Sequence, residues 1–323
     1  MTATHALPRH DRHSRGPGGL PRLLQAMDLD AHLAAYGPPP YRGPRQLIEV
    51  VAAAGLTGRG GAGFPAARKL TAVAEAGRGA VVVGNGAESE PASCKDKQLL
   101  GTAPHLVLDG LQLAAEAVGT TRVYLYVHAH PGLPEHLGSA LAARAAAGLD
   151  RARVQLVTAP PRFLAGEESA VVSRINGAPA LPRFKLPPVH QRGVAGAPTL
   201  LHNVETLAHL AQIARYGASW FRGAGTAAEP GTMLATCRRA DGTVEVVETA
   251  IGTPLGELLR LSELPGQAVL VGGYHGTWLT SAHAAALPLA NAGLRPTAAP
   301  NLRSDSLSKV RPTASGIGSQ LPW

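Results

Sequence analysis

Apolar positions recur at helical spacing over residues 46–54, Gly55 ends that pattern, and a glycine cluster follows at 58–63. The β-branched run Ala80-Val81-Val82-Val83 predicts a strand, and 95–118 predicts one long helix. Strands at 122–127 and 154–157 then alternate with an alanine-rich helix at 134–147 and a short helix at 167–175. Strands separated by helical runs of this length predict βαβ units around a buried parallel sheet. Residues 177–200 are proline-rich and aperiodic, so they read as a long loop, and a helix follows at 203–215. After Gly223-Ala-Gly225 the texture changes to short alternating strands (233–238 and 243–249), a short helix (254–261) and a strand at 268–272. The fold class expected is α/β: a Rossmann-like parallel-sheet domain over 28–222, then a small α+β domain over 226–280. Residues 1–27 and 295–323 lack an apolar face and read as disordered tails.

Composition changes this picture in two places. The chain of 323 residues carries a net charge of +8, the signature of a nucleic-acid binder if it were concentrated on one face. It is not: residues 1–45 hold six arginines against three aspartates, and 295–323 hold three arginines and one lysine against Asp305. The intervening body is near neutral, so no nucleic-acid partner is expected. There are two cysteines, Cys94 and Cys237, too few for a disulfide framework or a cysteine-only metal site. The N-terminus has no apolar signal core. The longest stretch without Asp, Glu, Lys or Arg, 264–294, contains Gly272-Gly273, two histidines and two prolines, wrong for a membrane helix. A cytoplasmic protein without direct membrane insertion is the expectation.

Gly58-Arg-Gly60-Gly61-Ala-Gly63 satisfies G-x-G-x-x-G, but a helix precedes it and Phe64-Pro65 follows, so the dinucleotide context of strand before and helix after is missing. On local pattern it reads equally as an anion cradle, built from backbone N–H groups at a helix start, or as an unliganded connection. Two acidic islands bear on the choice. Asn85-Gly-Ala-Glu88-Ser-Glu90-Pro follows the valine strand directly, and Gly166-Glu167-Glu168-Ser follows the strand at 154–157. Acidic groups on successive strand-end loops would converge on one site, although charge runs are more often solvated faces. His128-Ala-His130 reads as two loop histidines rather than a metal pair, Cys94 as a packed thiol, and Lys95-Asp96-Lys97 as a helix-start surface. No metal site is expected.

Thr57-Gly-Arg-Gly-Gly-Ala-Gly-Phe-Pro65, Lys69, Asn85…Glu88-x-Glu90-Pro, Gly166-Glu-Glu-Ser169 and Asn203-Val-Glu-Thr206 occur together, in order. In this the chain resembles the flavin-carrying, NADH-oxidising subunit of respiratory complex I, a family shared by diaphorase subunits of NAD-reducing hydrogenases and formate dehydrogenases. Asn85-Gly-Ala-Glu-x-Glu-Pro also looks like the C subunit of Rnf-type electron-transport complexes. The resemblance covers about 28–290. It implies that Gly58, Arg59, Gly60, Gly61 and Gly63 wrap the FMN phosphate and one flavin face, with Lys69 adding positive charge. It implies that Asn85, Glu88 and Glu90 line the isoalloxazine edge and that Glu167 and Glu168 contact flavin and the NADH ribose. It places His202, Asn203 and Thr206 at the ribityl-phosphate end and Phe64 against the adenine of NADH. Glu90 and Glu168 are the expected catalytic pair, acting by orientation, because hydride transfer between stacked rings at about 3.5 Å is a matter of positioning. Residues 226–280 look like the family's ubiquitin-like domain, with Val271-Gly-Gly273 and Trp278-Leu-Thr280 at its end.

The chain departs from the family pattern where Ala87 replaces an acidic residue, where Ala72 and Val189 replace aromatics of the adenine platform, and where His202 replaces an asparagine. Nothing after Cys237 is cysteine, so no iron–sulfur cluster is expected in this chain, and a partner iron–sulfur subunit would take the electrons. Two functions follow as expectations. One is an FMN-dependent NADH dehydrogenase module, which in an assembled complex would sit peripheral to the membrane. The other is a flavin-binding docking or electron-transfer subunit that has lost NADH.

Overall fold

The computed structural model describes residues 23–290, apart from 78, 89, 184–186, 240–241, 262–267 and 274–275. Helices α1 (Leu29–Tyr36), α2 (Pro44–Ala54) and α3 (Ala66–Glu75) lead into strand β1 (Val81–Gly86). Then come α4 (Lys95–Thr102), α5 (Pro104–Val118), β2 (Val123–His128), α6 (Leu133–Ala146), β3 (Val154–Ala159) and α7 (Glu168–Ile175). Strand β4 (Thr199–Asn203), α8 (Val204–Tyr216) and the single turn α9 (Ala218–Phe221) complete the first part.

The four strands form one parallel sheet in the order β3-β2-β1-β4. Strand β1 is bonded on both edges, with Val82 opposite Val123 on one side and Leu200 on the other. Both of its faces are also covered: Val82 lies in the core with Leu111, Leu125 and Leu207, and Val81 and Val83 lie in a second cluster with Tyr126 and Val171. A strand enclosed in this way is apolar without alternation, which explains Val81-Val82-Val83.

Helix α5 is buried at every position from Pro104 to Ala115. It crosses α8 so closely that a Cβ on Gly110 would sit 2.1 Å from the Leu207 carbonyl oxygen, so only glycine fits there. The one carboxylate in this wall, Asp109, meets His32 Nε2 at 2.9 Å and Arg144 at 2.8 Å, and also pairs with Arg215. Burial alone would raise the Asp109 pKa, but the His32 hydrogen bond and the two arginines outweigh it and lower it. Helices α1, α5, α6 and α8 are thereby tied at one buried point.

Three sequence expectations are corrected. The stretch 95–118 is two helices, because Pro104 lacks an N–H and Ala103 before it takes a non-helical conformation. The loop assigned to 177–200 ends in strand β4, whose five residues lack an alternating pattern. Leu23, assigned to a tail, is fully buried and its N–H donates to Glu248 at 2.7 Å. The rest of the N-terminal tail, up to residue 22, and the 295–323 tail lie outside the described residues.

The remainder is built from β5 (Thr232–Arg238) paired antiparallel with β6 (Val244–Ala250), α10 (Leu255–Leu258), β7 (Ala268–Val271) paired antiparallel with β8 (Thr277–Thr280), and α11 (Ser281–Ala286). Leu234 of β5 and Val246 of β6 belong to the same hydrophobic cluster as the parallel sheet, so this unit is welded to the first. Among the described residues no helix is long and apolar enough to cross a membrane.

Candidate functional site

The chain builds β1, β2 and β3 in one direction and then places β4 on the other side of β1. At such a reversal the loops leaving two neighbouring strands diverge, opening a crevice at the strands' C-terminal ends. Asn85 and Asn203 are register partners there, one on each strand. The Asn85 amide donates to the Gly166 carbonyl at 2.9 Å, and its oxygen accepts from Ala87 N–H at 3.1 Å. Asn203 caps α8 by accepting from Glu205 N–H at 3.0 Å, and donates to Asn85 O at 3.3 Å and Asp96 Oδ2 at 2.7 Å.

The glycine loop lies over this crevice. A bridge between Thr57 and Pro65 closes its base, with Gly58 N–H donating to Phe64 O at 2.9 Å. Arg59 N–H donates to Thr206 Oγ1 at 2.9 Å, which fastens the loop to α8. The amides of Gly60, Gly61, Ala62 and Gly63 take no hydrogen-bond partner among the described residues. Gly61 at φ 100° and Gly63 at φ 61° adopt backbone conformations that L side chains disfavour, and a run of unbonded amides in such a loop can cradle an anion.

Lys69 of α3 reaches across, its Nζ 2.7 Å from Glu168 Oε1 and 3.0 Å from the Leu201 carbonyl. Glu167 caps α7, accepting from Ser169 N–H at 2.9 Å and Ala170 N–H at 3.3 Å. Glu88 accepts from the Ser93 hydroxyl and from Asp96 N–H, and its second oxygen is buried with no hydrogen-bond partner among the described residues. Glu90 accepts from Ala92 N–H at 3.2 Å and lies against Gly273, where a Cβ would come within 2.5 Å of the Glu90 carboxyl carbon. It also lines a cavity of about 540 Å³ between the Ala92–Lys95 turn and the C-terminal unit, with Leu234, Arg239 and Trp278. Phe64, half exposed, follows the glycine loop.

The structure thus brings Gly58 to Gly63, Lys69, Asn85, Asn203, Thr206, Glu167 and Glu168 to one crevice. It seats Glu90 in the neighbouring cavity against Gly273 and turns the Arg59 and His202 side chains elsewhere. The Arg59 side chain points away from the loop's open face, with Nε donating to Thr232 O and Nη2 to Pro230 O, both at 3.2 Å. His202 is buried, with Nε2 lacking a partner among the described residues, and burial together with the charge of Lys69 pushes its pKa down to about 3.

A buried ion network beneath the site was not legible as one. Lys95 Nζ lies 2.7 Å from Asp96 and 2.9 Å from Glu205 Oε2, and Glu205 Oε1 accepts from Leu234 N–H at 2.8 Å. Burial opposes ionisation of Glu205, but Lys95, His209 and Arg59 more than offset it and bring its pKa down to about 2. Burial raises Asp96 to about 6, against the pull of Lys95 and with Glu88 adding to the rise. Lys95 and Asp96 are therefore not a helix-start surface. Their signal was positional: charges opening a helix straight after a strand-end loop. The Cys94 N–H donates to Thr236 Oγ1 at 2.9 Å and its side chain packs against the core. Among the described residues no group of three or more His, Cys, Asp or Glu could hold a metal ion.

An open parallel sheet with an amide-lined glycine loop and convergent polar side chains at its switch point defines an α/β protein of the mononucleotide-binding class. A family model described as the Nuo51 FMN-binding domain matches residues 51–212, half of the sequence. The chain belongs to that family. It is 32% identical over 248 residues to the F subunit of NADH-quinone oxidoreductase from Rickettsia bellii, covering 73% of this chain and 58% of that protein. It is 34% identical over 226 residues to the F subunit of the same enzyme from Rhodobacter capsulatus, covering 66% and 52%. Among solved structures, an NAD+-reducing [NiFe]-hydrogenase in the H2-reduced state aligns with a TM-score of 0.72 at 33% identity, covering 84% of this chain and 49% of that one. The chain spans little more than half the length of the curated relatives it matches.

Proposed function

We propose that this chain is an FMN-dependent module that accepts a hydride from NADH and passes electrons to a partner iron–sulfur protein. The observation that carries the reading is the glycine loop at the switch point, whose amides from Gly60 to Gly63 take no hydrogen-bond partner among the described residues and whose Gly60 lies against Asn203. Those amides and Lys69 suit the phosphate of FMN, and the polar rim of Asn85, Glu88, Glu167 and Glu168 suits the ring edge and ribityl hydroxyls. When bound, FMN supplies a two-electron acceptor that can be emptied one electron at a time.

The chain's own residues do the positioning. Asn203 holds the ends of β1 and β4 together, Thr206 anchors the loop backbone, and Glu167 fixes the start of α7 so that Glu168 is presented to the crevice. Glu90 and Glu168 orient the nicotinamide end of NADH. The purified protein is expected to be yellow, or to become so with added FMN, and its flavin absorbance is expected to bleach on addition of NADH. A colourless protein that takes up no FMN refutes the cofactor reading.

One observation favours a second reading, a flavin-binding subunit without NADH oxidation. Val189, where the resemblance expects an aromatic of the adenine platform, is buried, and Ala72 is no stacking surface either. Each lost stack removes around 0.5–1.5 kcal/mol. A yellow protein that NADH does not bleach establishes that reading instead.

A further inference from the structure

Arg59 belongs to the glycine loop by sequence, yet it is only 3% exposed. Its Nη1 donates to Thr57 Oγ1 at 2.7 Å and Thr57 O at 3.3 Å, Nη2 to Pro230 O at 3.2 Å and Nε to Thr232 O at 3.2 Å. A guanidinium offers five N–H donors in a rigid plane, and here each of its three nitrogens is engaged by oxygens of the protein itself. Those oxygens come from the base of the glycine loop and from the chain entering β5. Strand β5 also accepts Cys94 N–H through Thr236 Oγ1 and gives Leu234 N–H to Glu205, so it grips the acidic turn as well.

We infer that Arg59 is a positioning residue: it fastens the glycine loop to the start of β5, so that the C-terminal unit sets the shape of the anion cradle. This rests on the reading of the loop as the FMN phosphate site. A segment of three glycines and an alanine has a high entropy of ordering, and an anchored loop meets that cost before the ligand arrives. Lysine cannot replace the anchor, because a single ammonium cannot span three diverging carbonyls in one plane.

The test compares wild type, Arg59→Lys, Arg59→Met and Thr57→Val as full-length chains, titrated with FMN and with riboflavin by flavin fluorescence at a temperature where each is folded. Amide hydrogen exchange is read on the same proteins without flavin. Arg59→Lys keeps the charge but loses the anchor. It is expected to weaken FMN about tenfold or more, as Arg59→Met does, and to leave riboflavin, which lacks the phosphate, little changed. Exchange quickens at the hydrogen-bonded loop amides of Gly58 and residue 59 but not in the sheet. Thr57→Val is expected to do the same to a smaller degree, and it carries the comparison if the Arg59 variants fail to fold. Normal FMN affinity in Arg59→Lys, with selective loss of FMN over riboflavin in Arg59→Met, makes Arg59 a phosphate ligand and overturns the inference. Wild type that binds neither flavin refutes the FMN reading alone. The exchange data then decide: quickening confined to the loop supports the anchor, and uniform or absent quickening overturns it.

Discussion

The ammonium of Lys69 is shared between a carboxylate of Glu168, at 2.7 Å, and the carbonyl of Leu201, at 3.0 Å. Helix α3, helix α7 and the edge strand of the sheet meet at this one atom. The pair is partly exposed, at 22% and 34% of the two side chains, so it adds at most about 1 kcal/mol to stability. Its importance is to the site, because a phosphate seeking Lys69 must share it with Glu168. Lys69→Met is expected to leave the urea midpoint nearly unchanged and to weaken FMN roughly tenfold or more, the loss of one charge-assisted contact. Glu168→Gln is expected to bind FMN at least as tightly as wild type while slowing flavin reduction by NADH in stopped flow. Weaker FMN binding in Glu168→Gln would show that the carboxylate holds the flavin rather than competing for the lysine.

Glu205 is a second place where charge and fold are inseparable. It is 1% exposed and serves Lys95 and the β5 backbone together. Glu205→Gln keeps an acceptor but strands part of the Lys95 charge, and is expected to cost roughly 3 kcal/mol at pH 7. The folded pKa of about 2 lies below the ordinary 4.5, so the carboxylate's contribution is complete above pH 4.5 and is lost as pH falls towards 2. Urea unfolding of wild type and variant should therefore converge with acidification, and a constant gap over that range would exclude an ionic origin.

His202 makes the opposite kind of prediction. Buried and neutral in the folded state, it is protonated in the unfolded chain below its ordinary 6.5, and in the folded protein only near 3. Stability is then full above pH 6.5 and falls as pH drops towards 3, by roughly 1.4 kcal/mol per pH unit from this group alone. His202→Asn is expected to change stability little at pH 7 and to flatten the acid limb of the unfolding free energy. An unchanged limb would mean that the imidazole is solvated or paired in the folded protein.

The crossing of α5 and α8 gives a purely steric test. Gly110→Ala forces a methyl to 2.1 Å from the Leu207 carbonyl oxygen and is expected to cost about 3 kcal/mol or more, with a large drop in melting temperature. A methyl at Gly138 of α6 would meet nothing within 4 Å, so Gly138→Ala is expected to stabilise by about 0.5–1 kcal/mol. Equal responses from the two glycines would contradict the close helix contact.

What the amino-acid sequence determined by itself is local. The valine run of β1, the amphipathic α2 and the glycines of the loop are written in short windows, because period, capping and φ preference act over a few residues. The break at Pro104 does not follow from such a window, in which 95–118 reads as one helix. The family resemblance rested on motifs of that kind. Strand β4 escaped such windows: a five-residue pairing strand becomes stable only once β1 lies alongside, and Thr-Leu-Leu-His-Asn carries no period of its own. The direction of the Arg59 side chain and the burial of Lys95 were equally hidden. Each depends on a partner far along the chain, Thr232 for one and Glu205 for the other. A charged side chain in a loop is solvated by default, and only the tertiary fold, by bringing enough oxygens to replace water, decides that it is buried and what it holds in place.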